Sequence, residues 1–212
     1  MVPVPVAALG HNARVHVTIP KGLHVDWQPV AHEAVLFGLR HGAGEFAACA
    51  EVHAKAARPR RRWGVVGGRR NLWFARKRDA VSWADRYGGD IEVRDIITQR
   101  WTSGRAYDGV PSIAKVESGT RYLVTLKLPV RSDGTPIGRF PRTWQYDRYV
   151  TAPAVTFDDW AEEVVHSAAH EGRHVWQFGT DAPRSEIDAE THACTVLEQW
   201  RAENDGLQLQ LF

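Results

Sequence analysis

Hydrophobic positions along the chain change period several times, and each change marks an element. Residues 12–19, NARVHVTI, alternate apolar and polar side chains, the signature of a half-buried strand. From Trp27 to about Arg40 apolar residues recur at helical spacing. After HGAG the alanine-rich stretch from Glu45 to Ala57 predicts a second helix. WGVVGGRRNLWFA reads as two strands turning at Gly67-Gly68, followed by a helix over KRDAVSWADRYGG that its glycines stop, and by a strand IEVRDI. Residues 112–130 predict two strands joined at Ser118-Gly119, with Val124, Leu126 and Leu128 on one face. Pro136, Pro141 and Pro153 make 131–153 a loop. No internal repeat is visible, which argues against a solenoid.

Beyond that loop the period is helical almost to the end. Thr156 is placed as an N-cap with Asp159 as its capping-box partner, and Val155 and Trp160 are placed for a hydrophobic staple. Asp158, Asp159, Glu162 and Glu163 load the first turns with negative charge, where the helix dipole favours it. A helix over about 157–178 follows. One side gathers Ala161, Val164, Val165, Ala168, Gly172, Val175 and Trp176; the other carries Glu163, His166, His170, His174 and Gln177. After GTDAP, the segment RSEIDAETHACTVLEQWR predicts a further helix with Ser185 and Asp188 as a capping box. Glu186, Ala189, Glu190, Ala193, Leu197 and Trp200 fall on one stripe, so two carboxylates lie on the packing face. That is costly unless they are paired or bound to a metal.

Composition bounds the class. With 212 residues, 43% of them hydrophobic and 25% charged, the chain can form one large domain or two small ones. No apolar run approaches the ~18 residues of a membrane span, so no membrane partner is expected. The start of the chain lacks the basic region of a signal peptide and reads as mature sequence. Cys49 and Cys194 stand outside any CxxC pairing, which points to free thiols and a cytoplasmic location. Net charge is only +2, yet ten basic residues crowd 55–78 with Trp63, Trp73 and Phe74 between them. Such a strip can dock the phosphates of a nucleic acid, although a solvated hairpin flank is the commoner origin of the pattern.

The chemistry concentrates in HSAAHEGRHVWQF, residues 166–178. His170, Glu171 and His174 form HExxH: imidazoles at i and i+4 project from one helix face to hold one zinc ion, and the intervening glutamate can reach a metal-bound water as general base. A third ligand is required, and Glu186 and Glu190 on the following helix are both candidates. His166 and His192 read as ordinary histidines beside the site or at the surface, and Cys194 as a small core residue.

HExxH followed on the next helix by EIDAETHA resembles the arrangement of gluzincin zinc metallopeptidases, including the small cytoplasmic ImmA/IrrE-like enzymes of phages and mobile elements. The resemblance spans about residues 156–200. It implies Zn2+ as cofactor, Glu186 as third ligand, and Glu190, four positions on, as the residue orienting a ligand histidine. It also implies an α+β fold whose C-terminal half, 111–212, is zincin-like, with an antiparallel sheet segment, an active-site helix and a glutamate helix, after an N-terminal α/β region, 1–110, of unassigned role. The implied reaction is hydrolysis of a protein or peptide substrate, with Glu171 passing a proton from water to the leaving amine. Gly172-Arg173 and Glu190 depart from the common family pattern, so the choice between Glu186 and Glu190 stays open. Tyr146, Tyr149, Arg173 and His192 are the candidates for stabilising the oxyanion. Two other classes remain: a nucleic-acid-associated protein working through 55–78, and a phage structural or interaction protein with a vestigial motif.

Overall fold

The computed structural model describes residues 13–18, 27–46, 48–56, 60–67, 71–96, 102–109, 121–131, 136–138, 140–145 and 152–208. In chain order the elements are β1 (Ala13–Thr18), α1 (Gln28–Ala43), β2 (Ala48–Ala56), β3 (Arg60–Val66), β4 (Leu72–Phe74), α2 (Lys77–Tyr87) and β5 (Asp90–Ile96). Then come β6 (Ser103–Asp108), β7 (Tyr122–Val130), β8 (Arg142–Trp144), β9 (Val155–Phe157), α3 (Trp160–Gly179) and α4 (Glu186–Gln208). The fold is α+β with antiparallel sheet segments. By its contacts the chain divides into two units, 57–100 and 1–56 together with 101–212. The sequence reading put its boundary at 110/111; in the structure β1, α1 and β2 instead join the unit that carries α3 and α4.

That larger unit is built on a four-stranded sheet of order β1-β2-β7-β6, in which β1, β2 and β7 run parallel and β6 lies antiparallel to β7. A parallel neighbour requires a crossover, and α1 supplies the one between β1 and β2. The segment 45–57, expected to be helical, is β2, which corrects the sequence reading. Alanine favours helix intrinsically, but here Ala48, Ala50, Val52 and Ala54 line one face of a central strand, opposite Tyr122, Val124, Leu126 and Leu128 of β7, in the core beneath α1 and α3. Pairing on both edges and burial of one face outweigh a propensity worth tenths of a kcal/mol per residue.

Small residues set how closely α3 sits on α1. A Cβ on Gly38 would fall 2.4 Å from the Val165 carbonyl oxygen, and one on Gly42 2.4 Å from that of Ala169. Gly172 meets Gly42 from the other side, so its lack of a side chain serves helix packing. α3 begins three residues later than expected. Thr156 lies in β9, and the N-cap is Asp159, whose side chain accepts from the Glu162 N–H at 2.9 Å while Glu162 Oε2 accepts from the Asp158 N–H at 2.7 Å. Val155 and Trp160, expected as a staple, pack in separate clusters.

Strand β7 pairs with β6, which the sequence reading did not identify; residues 110–120, including the expected turn at Ser118-Gly119, lie outside the described residues. Among its described residues, the proline-containing stretch 131–153, expected to be a loop, holds a short strand, β8, paired with β9. The second unit holds the strand pair, helix and strand that the local pattern predicted, with β3 at the centre of an antiparallel sheet of order β4-β3-β5. Among the described residues no helix is long and apolar enough to cross a membrane.

Candidate metal centre

α3 and α4 are antiparallel neighbours clamped at both ends. Near the start of α3, Glu162 receives Arg201 through two hydrogen bonds, Nε to Oε1 at 2.8 Å and Nη2 to Oε2 at 2.6 Å. Near its end, Arg173 donates to both oxygens of Asp188 at 2.8 and 3.1 Å. Paired forks of this kind fix geometry as well as adding energy. The resulting register puts position 174 opposite 186, 170 opposite 190, and 166 opposite 194. Ser185 caps α4 by accepting from the Asp188 N–H at 3.2 Å, as its spacing predicted.

This register brings together the three ligands expected from the sequence. His170 Nε2 lies 3.2 Å and His174 Nε2 3.3 Å from the same atom, Glu186 Oε2, and the three residues form a group that could hold a metal ion. Both imidazoles are gripped from behind. His170 Nδ1 is 3.0 Å from Glu190 Oε2, and His174 Nδ1 is 2.8 Å from Gln177 Oε1. Gln177 is 1% exposed, and its amide nitrogen donates to the Ser185 carbonyl at 3.1 Å and to Asp188 Oδ2 at 2.9 Å. That pins the amide orientation, so Oε1 faces His174 as an acceptor and the His174 proton sits on Nδ1. Burial lowers the His174 pKa, which favours the neutral ring; with the proton on Nδ1, the Nε2 lone pair points at a carboxylate oxygen. Two lone pairs face each other across 3.3 Å, and a cation between them resolves the conflict. The donor set therefore fits a divalent ion, with each ring nitrogen preset as a ligand.

His170 is tuned the other way. Burial opposes its charge, but the Glu190 hydrogen bond and the nearby Glu171 and Glu186 carboxylates raise its pKa on balance. Glu190 is 2% exposed, yet its carboxyl is held down at about 2, because His166 and His170 outweigh the cost of burial. Glu171, 9% exposed, lies against β6: a Cβ on Gly104 would meet its Cγ at 2.4 Å, and the Ala106 N–H hydrogen-bonds its carboxylate. Burial pushes the Glu171 pKa up, with Glu186 adding to the rise. It opens on a cavity of about 220 Å³ walled by Thr102, Ser103, Gly104, Trp144 and Phe157 and floored by His166, His170 and Glu190.

Not all of the sequence reading survives. On the side of α3 that carries the histidines, Glu163, His166, His174 and Gln177 are buried. Arg173 is committed to Asp188 and lies 3.7 Å from the Trp176 ring, and His192 contacts the His41 carbonyl at 3.0 Å, so both are engaged elsewhere. Tyr146 and Tyr149 lie outside the described residues. The reading missed Gln177, which the polar spacing of α3 does not distinguish, and Arg184, whose Nη2 is 3.1 Å from Glu186 Oε1. No protein-family model matches the chain, and no match is found among curated proteins or solved structures.

Proposed function

We propose that the chain is a zinc-dependent metallopeptidase. The observation that carries this reading is the convergence of two imidazole nitrogens, each oriented by a hydrogen bond behind it, on one Glu186 oxygen, beside a buried glutamate that faces a cavity. When bound, zinc supplies Lewis acidity toward the scissile carbonyl and lowers the pKa of water. Glu171 takes the proton of the attacking water and hands it to the leaving amine, a role its raised affinity for protons suits. Trp144 and Phe157 give the cavity an apolar wall for a substrate side chain. No described strand lies beyond β6, and its edge can hydrogen-bond the main chain of an extended peptide.

A second reading rests on charge. Residues 57–100 hold twelve Lys and Arg against five Asp and Glu, although the whole chain is only +2, so this unit is strongly basic and the remainder acidic. Arg61, Arg76, Lys77 and Arg78 are exposed on it, which suits docking on a nucleic acid.

The test is hydrolysis of a pooled library of internally quenched peptides by zinc-loaded protein. Wild type cleaves. Glu171→Gln keeps its zinc and loses cleavage by orders of magnitude, and His174→Ala loses both. Full activity in Glu171→Gln, or a zinc-loaded wild type that cleaves nothing in the library, overturns the proposal.

A further inference from the structure

The α3–α4 register extends one layer beyond the site just described. Three histidines stand four residues apart on α3, at 166, 170 and 174, and Glu186, Glu190 and Cys194 stand four apart on α4. The first two layers account for His170, His174, Glu186 and one oxygen of Glu190. The third leaves His166 facing Cys194, with the other Glu190 oxygen between them. His166 Nε2 is 3.3 Å from Glu190 Oε1 and 3.8 Å from Cys194 Sγ. Nitrogen, oxygen and sulfur lie within 4.8 Å of one another.

Glu190 Oε1 is what separates this cluster from ordinary packing. It is completely buried and accepts no well-formed hydrogen bond; what it faces is His166 Nε2, 3.3 Å away. A buried carboxylate oxygen that accepts no well-formed hydrogen bond is costly, and natural structures carry few. A cation held jointly by the three side chains removes that cost.

We infer that His166, Glu190 and Cys194 form a second metal site for a zinc-class divalent ion, one helical turn from the first. An imidazole, a carboxylate and a thiolate select ions of borderline softness over magnesium or calcium. His166 and Glu190 both line the cavity, which gives an ion its way in and leaves room for a fourth ligand from solvent. The two sites share Glu190, one oxygen to each: Oε2 orients His170 while Oε1 ligates the second ion. Filling the second site therefore fixes the residue that aims a ligand of the first. The inference does not require that the first site be catalytic.

Cobalt(II) titration of the full chain under reducing conditions tests it, because only the second site contains sulfur. Wild type should take up about two ions per chain and develop a near-ultraviolet thiolate-to-cobalt charge-transfer band, together with visible ligand-field bands. Cys194→Ser, nearly isosteric, should lose the charge-transfer band and about one ion while keeping visible bands from the first site. His174→Ala should do the reverse and keep the charge-transfer band, so loss of the catalytic reading leaves this one standing. Wild-type protein that binds cobalt without a charge-transfer band overturns the inference, with no variant needed. So does a Cys194→Ser protein that retains both the band and the wild-type stoichiometry.

Discussion

Two carboxylates four residues apart on α4 do different work, and the atoms each one touches say which. Glu186 Oε2 meets both Nε2 atoms, whereas Glu190 Oε2 meets the back of His170. Glu186→Ala should therefore empty the His170–His174 site, while Glu190→Ala weakens its zinc binding by ~10–100-fold, as loss of an orienting partner does. Zinc titrations of the two variants check this, and the reverse order of effects would exchange the roles. Gly104 carries a separate prediction. A methyl group there would sit 2.4 Å from Glu171 Cγ, so Gly104→Ala should displace the glutamate and lower kcat by ~10²-fold, the scale of an ångström's misplacement, with zinc affinity unchanged. Equal losses in zinc binding would assign Gly104 a structural role instead. HExxH and the pair of glutamates were legible because they are local patterns. Gln177 and Gly104 were not: an amide in a helix and a glycine in a strand acquire meaning only from what folding places against them, the Ser185–Asp188 turn in one case and Glu171 in the other.

At the scale of elements, what matters is the register of α3 against its neighbours. Gly42 lets α3 approach α1, and Gly42→Ala, with its Cβ 2.4 Å from the Ala169 carbonyl oxygen, should cost about 1–3 kcal/mol, read as a lowered denaturant midpoint. An unchanged midpoint would mean that the helices can separate freely. The Arg173–Asp188 fork fixes the other contact. Arg173 holds the Asp188 carboxyl below the usual 3.8, so the stabilisation from this acid is fully present above that value and disappears as pH falls through the lowered one. Asp188→Asn should unfold at lower denaturant than wild type at neutral pH, modestly because Asp188 is partly exposed, and the two midpoints should converge below about pH 3.8. A constant gap into strong acid contradicts this account. Helices α1 to α4 could be read from the sequence because helical spacing of apolar residues runs through each segment, although the cap of α3 is Asp159 rather than Thr156. β2 could not, since ACAEVHAKA has the composition of a helix and becomes a strand through pairing with β1 and β7, which are remote in sequence.

For the whole molecule, the same remote pairing explains why a linear division at 110/111 differs from the structure. β1, α1 and β2 complete the sheet that supports α3, and the basic unit 57–100 is inserted between β2 and β6. Its local strand–helix–strand order was visible in sequence, but its insertion into a larger unit was not. All of this converges on His170, His174 and Glu186, the proposed zinc ligands. The most direct measurement is anomalous diffraction at the zinc edge from crystals of the full chain grown with zinc. A peak about 2.0–2.2 Å from His170 Nε2, His174 Nε2 and a Glu186 oxygen is the predicted result. An empty position there in zinc-saturated crystals, with Glu186 Oε2 still in direct contact with both imidazoles, would contradict it.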